Sequence, residues 1–181
     1  FADGNDTDGV NDDILVERGF MIRIEGSVNF LGFATATGSV ELSFQNGNFI
    51  FVFDLQLRLG GLTVAAKGGA GVFTGQNAGL VIVLDVSIDA NMFEIIEIEA
   101  SGKLLINTSN LSRTLAGETV QRNSFSLALN GSLSILKVLN FSTSFSIFVG
   151  PNPSDPTELG YWRVDFSADM DFFGLATMNA N

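Results

Sequence analysis

The chain has 181 residues, of which 46% are hydrophobic and 17 are Phe, and its formal net charge at pH 7 is −11. This acidic balance repels phosphate backbones, so nucleic acid is not an expected partner. Cysteine and histidine are absent, which excludes disulfides, thiolate or imidazole metal ligands, and catalysis that needs either side chain. No apolar run reaches the length of about 18 residues that predicts a transmembrane helix. No residue pattern identifies a reaction, and we expect a protein that is not an enzyme.

The first segment, residues 1–19, is acidic and rich in turn-forming residues. Residues 3–13 read DGNDTDGVNDD, which resembles the calcium-binding loops of thrombospondin type 3 and EF-hand-like repeats. With Gly9 at the loop glycine, Asp6, Asp8 and Asp12 fall at oxygen-ligand positions, whereas the first ligand position is Gly4 and no bidentate Glu follows. We therefore expect either a solvated acidic linker or a calcium-type loop, and Ca²⁺ is the one cofactor that the sequence suggests.

Residues 20–181 form one repetitive β domain. In the stretch from Gly26 to Phe44, apolar residues alternate with polar ones on both sides of a short bend, which is the period of a half-buried strand. Similar pairs of strands recur along the chain. Their bends are Leu31–Phe33, Gly60–Gly61, Phe93–Ile95, Leu136–Val138 and Phe173–Leu175. The pattern predicts an all-β fold, an antiparallel up-and-down meander of about ten long amphipathic strands in five hairpin repeats, forming a sandwich or a barrel-like sheet.

Two features of the repeat predict contacts with other chains. The bends carry apolar residues although hairpin tips are normally polar, so something should cover them. We expect these residues to form assembly contacts: Leu31, Phe33, Phe93, Ile95, Leu136, Val138, Phe173 and Leu175. The fifth hairpin also has a short return strand, which predicts a hydrophobic edge that another strand can complete.

Three other segments offer different interpretations. The acidic residues Asp85, Asp89, Glu94, Glu97 and Glu99 fall on one strand face, where carboxylates can pair for glycosidase chemistry or calcium binding, but alternation alone also places charges on a solvated outer face. KGGAG at 67–71 lacks the spacing of a phosphate-binding loop, and its glycines favour a bend or close backbone approach. Residues 107–123 are expected to be a long polar loop.

Several strings in the domain, such as GLTVAAKGGAGVF, LDVSIDA and EIEASGKLLINTS, are similar to repeat units of very large, β-rich secreted or cell-surface proteins of bacteria. The resemblance covers nearly the whole chain from about residue 20 and implies an extracellular or cell-surface, adhesin-like or filament-forming role. It supplies no catalytic residues.

The sequence is compatible with three functions. The first is a non-catalytic structural subunit of an extracellular filament, sheath or adhesin, assembled with copies of itself or neighbouring repeats through β-edges and hydrophobic hairpin tips. The second is a barrel or groove that binds a lipid or another apolar ligand. The third is an outer-membrane β-barrel, against which the sequence has one Trp and one Tyr for the aromatic girdles that such barrels carry.

Overall fold

The computed structural model describes residues 19–30, 32, 34–93, 95–155 and 157–181. The fold is all-β, as predicted, and ten strands form one antiparallel sheet in the order of the sequence. The ten strands are β1 (Gly19–Phe30), β2 (Ala34–Gln45), β3 (Asn48–Leu59), β4 (Leu62–Phe73), β5 (Gly79–Met92), β6 (Ile96–Asn107), β9 (Ser124–Ile135), β10 (Leu139–Gly150), β11 (Tyr161–Phe172) and β12 (Ala176–Ala180). Two short strands, β7 (Arg113–Leu115) and β8 (Glu118–Val120), form a separate hairpin, and a 3₁₀ turn spans Gly75–Asn77.

The register keeps the apolar residues of all ten strands on one face. Ile24 lies opposite Val40, Val40 opposite Phe53, and the same parity continues to β12. Because successive side chains point to opposite sides of a sheet, this pairing produces an apolar face and a polar face. The structure therefore confirms the predicted antiparallel meander and the predicted separation of apolar and polar side chains onto its two faces.

The predicted bends lie together at one end of the sheet. Ile135 pairs with Leu139 and Phe172 with Ala176, so each of these bends contains three residues, whereas Leu59 pairs directly with Leu62 across Gly60–Gly61. At the fourth bend the φ angles of Leu136 and Lys137 are 52° and 57°. A hydrogen bond from the Val138 N–H to the Ile135 carbonyl (3.0 Å) closes this turn. Two positive φ angles with this bond define the primed turn that suits hairpins, here made without glycine.

The expectation of a long polar loop over residues 107–123 is wrong in its central part. Leu115 pairs with Glu118 across Ala116 and Gly117, whose φ angles of 49° and 83° close a two-residue turn between β7 and β8. This hairpin folds back over the polar face of the sheet.

The hairpin creates the only hydrophobic cluster of buried side chains found among the described residues. Leu115 and Val120 are 4% and 1% exposed and pack on Phe73, Val81 and Val83 of β4 and β5. A Cβ atom on Gly69 would lie 2.5 Å from the Phe51 carbonyl oxygen but at an ordinary 3.5 Å from Cγ of Leu115, so the close backbone approach predicted for KGGAG is the approach of β3 to Gly69.

The sheet is not closed into a barrel, because β1 and β12 stand at its two ends without pairing to each other. The described residues do not form a sandwich of two large sheets either, since only the β7–β8 hairpin lies against the sheet as a second layer. Ten strands consequently share one layer, and most of its apolar face is uncovered.

We expect Lys137→Gly to stabilise the fold. A side chain in the left-handed region costs about 1–2 kcal/mol, and glycine avoids this cost but loses more backbone entropy on folding. The net gain should be up to about 1 kcal/mol in the free energy of unfolding, measured by urea denaturation. Lys137→Ala keeps the Cβ and is the matched control, so equal stability of the Gly and Ala variants would contradict the strained turn.

Candidate assembly surfaces

The apolar face of the sheet is the main candidate for a functional surface among the described residues. Its side chains are accessible on strands across the sheet: Leu57 of β3 is 42% exposed, Leu129 of β9 is 45% exposed and Phe166 of β11 is 52% exposed. On the described part of the ten strands this face carries no charged side chain, and Thr143 is its only hydroxyl. Strand spacing and rise give the face an area of about 1,500 Å², whereas apolar patches on monomeric proteins rarely exceed about 600 Å². A surface of this size is typical of one that a partner or ligand covers.

The bends form a hydrophobic rim along one end of the sheet. Backbone hydrogen bonds join neighbouring bends, from the Leu136 N–H to the Ile95 carbonyl (2.7 Å) and from the Phe173 N–H to the Val138 carbonyl (2.9 Å). Phe93 is 92% exposed, and most of the other bend residues are also open to solvent: Ile95 (47%), Leu136 (61%), Phe173 (59%) and Leu175 (83%). Val138 is half-buried. The sheet thus brings six of the expected assembly residues into one row.

The remaining predicted site residues fall outside the described ranges. Leu31 and Phe33 belong to the first bend, and the calcium-type residues Asp6, Asp8 and Asp12 belong to the leader. The assembly role of the first two and the calcium site remain predictions.

Two sheet edges are also open. β1 lies at the first edge, and its residues 19–29 are exposed. At the other edge β12 pairs with β11 only from Ala168 to Phe172, so Tyr161–Ser167 of β11 has no strand beside it among the described residues. Each edge carries one ion pair along its own strand, Arg23 with Glu25 (3.4 Å) and Arg163 with Asp165 (2.9 Å).

The acidic strand face is a solvated surface in the described structure. Asp89 lies directly opposite Glu99 on the polar face, at an open depression of ≈ 600 Å³ in which Ser is the most frequent lining residue. No cluster of three or more carboxylates that could hold a metal ion occurs among the described residues, and Glu94 is not described. Among the described carboxylates of this face, Asp89 and Glu99 line an open depression and not an enclosed cleft.

The sequence did not predict the contact that ties the β7–β8 hairpin to the sheet. Nζ of Lys103 lies 2.7 Å from a carboxylate oxygen of Glu118 and 3.3 Å from one of Asp85. The hydrogen bond to Glu118 raises the pKa of Lys103 despite partial desolvation, and the bond to Asp85 adds to the effect. The guanidinium of Arg113 also stacks 4.3 Å from the ring centre of Phe73. The turn pair Ala116–Gly117 within the polar segment was the available signal for this hairpin.

Two buried polar residues hold the base of the hairpin. Asn107, 1% exposed, donates hydrogen bonds to the carbonyl oxygens of Leu111 (2.8 Å) and Val120 (3.0 Å). Its own side-chain oxygen accepts from the backbone N–H and the hydroxyl of Ser109. Because each of these buried groups has a partner, the network rigidifies the connection between β6 and β7.

No protein-family model matches this chain, and no significant match was found among curated proteins or among solved structures. The described residues contain no helix that is long and apolar enough to cross a membrane.

We expect Lys103→Met to lower the free energy of unfolding by less than about 1 kcal/mol, because the ion pairs that hold the β7–β8 hairpin are partly exposed. Since the pKa of Lys103 is raised on folding, its stabilisation is complete below the ordinary value of 10.5 and is lost as the pH rises through the higher folded value. The stability difference between the natural chain and the variant, measured by urea denaturation, should therefore shrink above about pH 10.5. Lys137→Met, which removes the same charge at a bend, is the control. A difference that stays constant up to about pH 12 would contradict this role of Lys103.

Proposed function

We propose that the chain is a non-catalytic structural module that joins other modules into an extended β-assembly, such as an extracellular filament, sheath or adhesin. The observation that carries this proposal is the single-layered ten-stranded sheet, whose apolar face is uncovered across its width. The resemblance to secreted repeat units is the support for an extracellular or cell-surface location.

The size of the apolar face argues for a permanent contact. Hydrophobic burial contributes about 25 cal/mol per Å², so covering about 1,500 Å² supplies a driving force on the order of 40 kcal/mol before the entropy cost of association. A standard protein–protein contact covers about 800 Å² on each partner, and larger, more hydrophobic contacts are typical of obligate assemblies. The chain therefore has the surface of a subunit that functions inside an assembly.

The rim and the edges support the same function. Unpaired backbone groups on the outer side of β1 can accept a further strand, which extends a sheet without new secondary structure. The exposed Phe93 and Leu175 at the rim add apolar contacts at the end of the strands. Strand addition at a sheet edge and packing of a partner on the apolar face use different surfaces, so both can occur in one assembly.

A second candidate function is the binding of a lipid or another apolar ligand on the apolar face. The observation that favours it is the absence of charged side chains there, with Thr143 as the only hydroxyl on the described residues of this face. Protein interfaces usually provide about one hydrogen bond per 100–200 Å². A surface with so few polar groups also suits an occupant that makes no hydrogen bonds.

We expect Leu57→Lys to disrupt association, because it places a charge in the middle of the apolar face. Gln56→Lys adds the same charge to the neighbouring residue of β3, which points to the polar face, and is the matched control. Light scattering with negative-stain microscopy should show assemblies for the natural chain and for Gln56→Lys, and smaller particles for Leu57→Lys. A monomeric natural chain would overturn the structural proposal.

Trp fluorescence of the purified natural chain can distinguish an apolar ligand from a protein partner. Trp162 is the only Trp of the sequence, lies on the apolar face and is 69% exposed. If the natural chain is monomeric and an apolar ligand covers this face, adding vesicles of neutral phosphatidylcholine should shift the fluorescence of Trp162 to the blue. A blue shift that depends on protein concentration alone would instead support self-assembly.

A further inference from the structure

We infer that two copies of the chain pack apolar face against apolar face, about a two-fold axis that runs parallel to the strands between β3 and β4. This inference rests on the proposed function and names a second copy as the partner of the apolar face. β3 of one copy then lies over β4 of the other, and the bends of both copies lie at the same end of the resulting sandwich. Because the β7–β8 hairpin packs on the polar face, it does not block this contact.

Charge and area favour a second copy as the occupant. The net charge of −11 makes two copies repel where their polar faces meet, whereas the described part of the apolar face has no charged side chain. Overlap of β1–β6 from each copy covers about 900 Å² per copy, and a standard stable interface covers about 800 Å² on each partner. The acidic leader, residues 1–18, would instead bring unpaired carboxylates onto this face.

The shape of the apolar face sets the position of the axis. Large side chains follow one another along the apolar side of β3 and form a ridge: Phe49, Phe51, Phe53, Leu55, Leu57 and Leu59. Beside this β3 ridge, the middle of β4 presents Ala66, Gly68 and Ala70, which form the β4 groove. The larger side chains of β5 stand on its other side. Leu55 on the ridge is 43% exposed, and Gly68 in the groove is buried.

A ridge beside a groove on the same face is self-complementary. Within one chain Phe53 lies opposite Gly68, and Leu55 lies opposite Ala66. Rotation about an axis between these two strands places the Leu55 side chain of each copy over Ala66 of the other, so two ridges enter two grooves. Packed sheets cross at about 30°, so the fit holds in the middle of the strands, where the groove lies. The contact leaves β9–β11 uncovered in each copy, so further contacts can extend the dimer.

The competing two-fold axis runs across the strands. It places β3 over β3 of the other copy, so that ridge meets ridge and groove meets groove. Protein interiors tolerate neither overlapping side chains nor large voids. The axis parallel to the strands avoids both, and it brings the exposed bend residues Phe93 and Leu136 of the two copies to the same end.

Exchange of one large and one small side chain tests the fit. Ala66→Leu fills the groove and Leu55→Ala removes part of the ridge, so each variant alone should dimerise at least about tenfold more weakly than the natural chain. An equimolar mixture should recover association as a heterodimer, because both contacts of the mixed dimer again join one Leu to one Ala. Sedimentation velocity of each folded variant and of the mixture measures this recovery.

The mixture distinguishes contacts between copies from packing within one chain. Leu55 and Ala66 are also neighbours in the same sheet, but a second chain cannot repair a defect that lies within the first. Ala168→Leu adds the same side chain to the apolar face of β11, outside the contact, and should dimerise like the natural chain. A mixture that associates no better than either variant alone would overturn the ridge-and-groove fit.

A spin label at the bend between β3 and β4 tests the direction of the axis. The natural chain has no cysteine, and a Cβ on Gly60 would meet nothing within 4 Å. Other bends hold side chains at similar positive φ angles, so Gly60→Cys provides a single labelling site. Double electron–electron resonance should give about 20 Å between the labels of a dimer, because both lie at the same end beside the axis. An axis across the strands would give about 40 Å, the length of a strand.

The outcomes separate the contact from the general function. If light scattering shows assemblies but the mixture does not recover, or the labels lie about 40 Å apart, the face-to-face packing is overturned and the structural function stands. A natural chain that stays monomeric would overturn both proposals. A blue shift of Trp162 on adding phosphatidylcholine vesicles would then identify an apolar ligand as the occupant of the face.

Discussion

One face of the ten-stranded sheet is apolar, and its exposure to water dominates the energetics of the chain. Strand alternation places Leu, Ile, Val and Phe side chains of ten strands on the same side, and the register carries this side unbroken from β1 to β12. A globular domain of this length normally solves the problem by packing two layers around one core. Here only the β7–β8 hairpin forms a second layer, and it lies on the opposite face. The described residues therefore leave this apolar face without a cover.

In the proposed assembly, the apolar face would supply the driving force. It is large but nearly featureless in hydrogen bonding, so hydrogen bonds would not by themselves select one alignment. The charged residues are confined to the polar side, where Arg23, Glu25, Arg163 and Asp165 stand at the two edges. Edge charges are normally a defence against unwanted pairing of strands.

The β7–β8 hairpin shows how the chain uses its polar face where extra stability is needed. Val81 and Val83 point to the polar side of β5, and Leu115 and Val120 bury them. The bond from Lys103 to Glu118 and the buried amide of Asn107 then fix the hairpin on the sheet. This corner is the part of the described structure that resembles an ordinary protein core. It anchors the middle of the sheet without covering the apolar face.

The strands, the bends and the separation of apolar from polar faces can be predicted from the amino-acid pattern, because they depend on alternation and on short turns that are local in the chain. Gly26–Phe44 and the bend at Leu136–Val138 are examples. The open sheet and the docked hairpin within residues 107–123 could not be predicted in this way, because both depend on contacts between distant segments. The runs FIFVF at 49–53 and LVIVL at 80–84 carried a signal of burial on two faces, but only the docking of Leu115 shows what covers the second one.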